Sequence, residues 1–206
     1  MVESTQDFKV YPTLMVISGP SGVGKDTIAR LAIERRPDDF YFVVTATTRP
    51  AREGEVDGYD YFFVTHNQFA RMIEEEELLE YAVVYNDYKG VPKQQIRDAL
   101  ASGKNVIMRV DVQGAATLRK LIPNAIFVFL RTATEEDLVN RLIERKSETH
   151  EGVNMRIAFA RKELQRLKEF DYCIINADGE QDRAVDQILS IFDAAQCRVG
   201  QEPIIL

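Results

Sequence analysis

At 206 residues, with 45% hydrophobic and 29% charged side chains, the chain can bury one substantial core and is too apolar to be disordered. A formal net charge of −7 argues against a nucleic-acid or anionic-membrane surface, because both reward clustered Lys and Arg. Two cysteines, Cys173 and Cys197, stand in no metal-like spacing and fit thiols kept reduced. No apolar run has the length of a membrane span. The opening MVESTQDFKVYPT has neither an apolar h-region nor an Arg-rich amphipathic pattern. The expected location is therefore cytoplasmic, although a mature organellar protein that had lost its transit peptide would read the same way.

In chain order, LMVIS (14–18) is a short buried strand that feeds the Gly-rich turn GPSGVGKDT. TIARLAIERR after it has helical spacing and stops at Pro37. FYFVVT (40–45) is a second strand. RPAREGEVDGYDYFFV is rich in Gly and charge, then alternates like a strand, and HNQFARMIEEEELLEYAVV reads as a helix running into a strand. The run Glu74 to Glu77 is expected to be a solvated helix face. NVIMRVDV and AIFVFL are strands joined by the helical QGAATLRKL. EEDLVNRLIERK and VNMRIAFARKELQRLKEF are helices around the polar SETHEG; YCIINA is a last strand and QDRAVDQILSIFDAAQ a closing helix. Strands alternating with helices predict an α/β fold, a parallel sheet with helices on both faces.

The turn is the first stretch that carries chemistry. Gly19, Gly24 and Lys25 fit the phosphate-loop frame G-x-x-x-x-G-K-S/T, but Asp26 stands where a Mg²⁺-binding hydroxyl belongs. The context, strand before and helix after, is the one the loop's mechanism requires. Glycines let backbone N–H groups close around phosphate oxygens, and the helix N-terminus adds partial positive charge. A second constellation is TATTRPAREGEVDGYDYFFV, in which Arg49 and Arg52 lie three apart after a strand end, so that two guanidinium forks can converge on one phosphate.

Taken with GPSGVGK, LEYA, DVQG and the spaced arginines of NRLIERKSETHEGVNMR, these motifs make the chain resemble the guanylate kinases, which move the terminal phosphate of ATP onto GMP (and dGMP), from about residue 14 to residue 194. GPSGVGKD, LEYA, YKGVPK and RVDVQG are similar to the plant organellar branch. The resemblance implies a P-loop nucleoside monophosphate kinase with a core of about 11–45, 96–140 and 158–196. A GMP-binding insertion would cover about 46–95 and a lid about 141–157. It implies ATP binding by Gly19, Pro20, Ser21, Gly22, Val23, Gly24, Lys25, Asp26 and Thr27, with Arg141, Arg145 and Asn176. It implies GMP binding by Thr45, Arg49, Arg52, Tyr61, Glu80, Lys89 and Asp111, Glu80 accepting the two adjacent N–H donors of guanine. Lys25, Arg52, Arg145 and Arg156 would carry catalysis by charge and position. Mg²⁺ would accompany ATP, with Asp26 its candidate ligand. ATP and GMP are the implied partners, with no nucleic acid or membrane, and the chain would act as a monomer or homodimer.

The departures from the family pattern are ERK for GRG in the lid, Lys89 for Tyr, Val91 for Ser or Thr, and Arg109 for the first Asp of D-I-D-x-Q-G. Strand period two puts Arg109 and Asp111 on one face at the carboxyl end of the sheet. An acidic residue at 26 and a basic one at 109 predict an ion pair beside the phosphates. At 4 Å and an effective dielectric near 20 it is worth about 4 kcal/mol before desolvation. Two rival readings have discriminating features. Non-catalytic phosphopeptide-binding domains of this shape lack the phosphate loop and lid arginines present here, and ribose-bisphosphate kinases, which also carry G-K-D, lack T-T-R-x-x-R…Y and L-E-Y-A.

Overall fold

In the computed structural model, residues 9–84, 86–144 and 150–206 are described. Nine strands and seven α-helices alternate among them, in two sheets. The larger sheet is parallel throughout, in the order β2 (Phe40–Phe42), β7 (Asn105–Arg109), β1 (Leu14–Ser18), β8 (Ile126–Arg131), β9 (Tyr172–Ile175). All five residues of β1 are buried, as suits a central strand covered on both faces. Met15 and Ile17 face one layer, with α1 (Lys25–Arg35), α5 (Glu135–Glu144), α6 (His150–Leu164) and α7 (Gln181–Gln196). Leu14 and Val16 face the other, with α3 (Lys93–Ala101) and α4 (Val112–Leu121). The period-two alternation of the strand thus divides the core into two layers.

The smaller sheet has the order β4 (Phe62–Phe63), β3 (Ala46–Thr47), β6 (Asp87–Pro92), β5 (Leu78–Val84). β5 and β6 pair antiparallel, with Glu80 opposite Val91. Beneath them lies α2 (His66–Glu74), opened by a Thr65–Gln68 capping box and anchored by Phe69, which packs with Leu78 and Ala46.

Four local expectations are corrected. The strand at 40–45 ends at Phe42, because the chain leaves the large sheet to enter the small one at Ala46. The glutamate run is the end of α2 rather than a helix face: Glu75 is the C-cap and Glu76 is left-handed at φ 52°, turning the chain into β5. β7 ends at Arg109, so Asp111 is not a strand residue; it is the N-cap of α4 and accepts N–H bonds from Gln113 and Gly114, both 2.8 Å. The helix expected from Val153 already begins at His150 and ends at Leu164, before a 3₁₀ turn at Leu167–Glu169.

Phe69 is 1% exposed and joins helix to sheet in the small layer. Phe69→Ala should cost about 3–5 kcal/mol, read as a lower urea midpoint. A loss under about 1 kcal/mol would contradict the packing described.

Candidate active site

The turn after β1 is shaped by glycine at two points where nothing else fits. Gly19 has φ 133°, and a Cβ there would lie 2.1 Å from the Leu130 carbonyl oxygen. Gly24, at φ 87°, is the N-cap of α1, and a Cβ would meet the Asn176 amide nitrogen. Lys25 folds back over the loop, its Nζ donating to the Gly19 and Pro20 carbonyls at 2.6 and 2.9 Å. The Asn176 amide donates to the Val23 carbonyl at 2.8 Å, and Arg141 donates to the Asn176 carbonyl at 2.8 Å and pairs with Asp178. From α6, Arg156 reaches to 3.5 Å from the Ser21 hydroxyl.

One cavity of about 620 Å³ joins this loop to the small sheet. On the sheet side, Arg49 pairs with Glu55 at 2.8 Å, and the other Glu55 oxygen accepts the Arg52 backbone N–H at 2.7 Å, so a single carboxylate fixes both arginines. The Arg49 guanidinium lies 5.3 Å and the Lys89 ammonium 5.6 Å from the Tyr61 ring centre. Burial, then the nearby Arg49, Arg52 and Arg156, push the Lys89 ammonium below its ordinary range, with Asp111 acting the other way. Glu80 is 6% exposed and sits against Gly114, where a Cβ would come within 2.7 Å of its carboxylate. Burial first, then the charge of Asp111, raise Glu80 to about 8. This is a carboxyl held neutral at pH 7, ready to ionise against a donor pair.

Asp26 and Arg109 form the expected ion pair. Arg109 ends β7 with 5% of its side chain exposed, whereas Asp26, in the first turn of α1, keeps 48%. The half-exposed carboxylate is screened, so the pair is worth well under the 4 Å figure. Burial pushes the guanidinium down to about 9, still above neutral pH, so Arg109 is a cation there.

A family model for guanylate kinase matches residues 11–195. The chain is 52% identical over 194 residues to "Guanylate kinase 2, chloroplastic/mitochondrial" of Oryza sativa subsp. japonica, covering 94% of this chain and 68% of that one. It is 44% identical over 200 residues to the guanylate kinase of Nocardia farcinica, covering 96% and 100%. The crystal structure of guanylate kinase from Anaplasma phagocytophilum superposes with a TM-score of 0.77 at 27% identity, over 93% of this chain and 89% of that one. The chain belongs to the guanylate kinase family.

Of the residues that the family resemblance marks, Gly19, Ser21, Gly22, Gly24, Lys25, Asp26, Thr27, Thr45, Arg49, Arg52, Tyr61, Glu80, Lys89, Asp111 and Arg156 line the one cavity. Pro20, Val23, Arg141 and Asn176 are not among its lining residues; they build or brace the loop through the bonds given above. Arg145 lies outside the described residues. Val91 lines the cavity opposite Glu80 with no hydroxyl to offer. Four contributors carry no role in the sequence reading. Glu55 lies inside the quoted motif and Gly114 inside DVQG, so attention to every motif position would have found them. Glu163, whose carboxyl burial raises and Lys25 lowers, and Arg30 sit mid-helix among ordinary charges and give no local signal.

A carboxyl raised by folding binds a proton that the unfolded chain has already lost. Glu80 therefore contributes stability that is full below about pH 4.5 and is lost as the pH rises to about 8. Glu80→Gln should flatten the fall in unfolding free energy across that window, measured by urea titrations at several pH values. A mutant profile parallel to wild type would contradict the assignment.

Proposed function

We infer that the chain transfers the terminal phosphate of ATP to GMP, giving ADP and GDP, in purine nucleotide metabolism. One observation carries this reading. A single cavity holds a lysine-bearing phosphate loop at one end, and at the other the buried Glu80 and the half-buried Asp111 with Arg49, Arg52, Tyr61 and Lys89. Guanine offers two adjacent N–H donors for one carboxylate, which adenine lacks, so Glu80 gives base selection a chemical basis. Because Glu80 is neutral below about pH 8 in the free protein, guanine must discharge its proton on binding.

In the transfer, an oxygen of the GMP phosphate forms a bond to the γ-phosphorus as the bond to the ADP oxygen breaks, in line and without a covalent enzyme intermediate. Lys25, Arg52 and Arg156, with Arg145, offset the charge spread over the transferring group. Arg49 and Tyr61 fix the acceptor phosphate, Lys89 adds a cation beside it, and Thr45 and Asp111 complete the base pocket with Glu80. The loop residues and Arg141 hold the donor. Residues of about 46–95 form the acceptor-binding insertion and about 141–157 the lid, of which 145–149 lie outside the described residues.

Among the described residues no group of three or more His, Cys, Asp or Glu is placed to hold a metal. That fits Mg²⁺ brought in by ATP, which takes most of its oxygens from phosphates and water and needs one protein carboxylate. Asp26, half exposed at the loop, would be that ligand, and the ion would offset charge on the ATP phosphates. No described helix is long and apolar enough to cross a membrane. Two free thiols support a reducing compartment such as the cytoplasm. The unit of function is a monomer or homodimer.

A coupled assay with GMP, AMP, CMP, UMP and ribose bisphosphate tests the reading, GMP being the expected acceptor. In the same assay KM for GMP should fall as the pH rises toward about 8. Glu80→Gln should raise it by a factor equivalent to about 1.5–3 kcal/mol, roughly 10- to 150-fold, with KM for ATP unchanged. Preference for another acceptor, or an unaltered KM for GMP in the mutant, would overturn the assignment.

A further inference from the structure

Arg109 touches more than Asp26. Its Nη2 donates to the Asp60 carbonyl at 2.6 Å, and its guanidinium carbon lies 4.3 Å from the Tyr61 ring centre and 5.1 Å from that of Phe42. Its Nη1 is buried without a hydrogen-bond acceptor among the described residues, so the aromatic face is what compensates it.

Four residues after Asp26, one helical turn along α1, Arg30 grips the same segment. It donates to the Tyr59 carbonyl at 2.7 Å, pairs with Asp60 at 3.0 Å, and lies 3.9 Å from the Tyr59 ring centre. The other Asp60 oxygen accepts the Val56 N–H at 2.8 Å, and Gly58 donates to the Tyr61 carbonyl at 2.8 Å. The turn that presents Tyr61 is thus closed on itself and held to α1 by Arg30 and to the end of β7 by Arg109.

We propose that Arg109 is a positioning residue that clamps the 59–61 turn onto the phosphate loop, setting the distance between acceptor and donor sites through one buried guanidinium. The fork matters as much as the charge. One nitrogen meets the Asp26 carboxylate, a second meets the Asp60 carbonyl, and the flat face meets Tyr61. A lysine carries the charge but cannot hold all three at once. Asp26 is then the counter-charge that lets the clamp be buried, which ties the loop's unusual acid to the acceptor side. A small displacement of a group that holds substrate is enough to cost an order of magnitude or more.

The proposal rests on the GMP reading for its kinetic half and not for its structural half, and the test separates them. Hydrogen exchange of residues 57–63 is measured without nucleotide in wild type, Arg109→Lys and Arg30→Met, with thermal midpoints to confirm folding. Exchange should quicken at least about tenfold in both variants while the rest of the core is unchanged. In the coupled assay KM for GMP should rise about tenfold in Arg109→Lys and several-fold in Arg30→Met, with kcat falling alongside it because the donor–acceptor distance is no longer fixed. If Arg109→Lys does not fold, Arg30→Met alone decides. Unchanged exchange in the folded variants, or faster exchange with an unaltered KM for GMP, overturns the clamp. Wild-type protein inert toward GMP would instead sink the functional reading, while the exchange data still judged the turn.

Discussion

The ion pair between Asp26 and Arg109 is the contact on which the working parts depend. A carboxylate in the first turn of α1 suits the helix dipole but faces the place where a polyphosphate would sit. A guanidinium with 5% exposure at the end of β7 needs a counter-charge, because burying a lone cation is expensive. Each residue makes the other tolerable. Because β7 and β1 are neighbours in register, with Ile17 opposite Arg109, the sheet itself brings the two together where β1 turns into the loop. Removing one partner leaves the other worse off than if both had changed.

From that point the charges of the cavity fall into order. The chain is acidic overall, yet Lys25, Arg49, Arg52, Lys89, Arg109 and Arg156 converge on one space. Glu55 holds Arg49 and the Arg52 backbone, Asp26 holds Arg109, and the Gly19 and Pro20 carbonyls hold Lys25. At the far end burial, and then the charge of Asp111, make Glu80 hold its proton. The crowding of like charges is eased where Arg49 and Arg109 are paired with carboxylates and Glu80 is neutral.

Much of this was legible in the residues. The loop and the paired arginines announce themselves by spacing, since their chemistry depends on local order, whereas Glu80 was marked only by the family resemblance. The Asp26–Arg109 contact was readable across more than eighty positions only because two departures of opposite charge occur at ends of elements that a parallel sheet brings together. The reasoning by strand period was right for Arg109 and failed for Asp111. An aspartate two residues past a strand end can cap the next helix, and the cap geometry won over continuation of the strand. The glutamate run misled for a similar reason: propensity favours helix, but the chain must reverse into β5, and Glu76 takes a left-handed turn to do it. Arg30 was invisible because its partners, Tyr59 and Asp60, are about thirty positions away and on a different layer.

The central claim, that the acid in the phosphate loop works because Arg109 accompanies it, is tested most directly by a charge exchange. kcat/KM for MgATP at fixed GMP is measured in wild type, Asp26→Ser, Arg109→Asp and the double mutant. If the two groups act as a pair, Arg109→Asp is the more damaging single change, and the double mutant recovers much of the loss, with an interaction energy of about 0.5–3 kcal/mol. If the single losses simply sum, to within about 0.3–0.5 kcal/mol, the residues act independently and the claim is wrong.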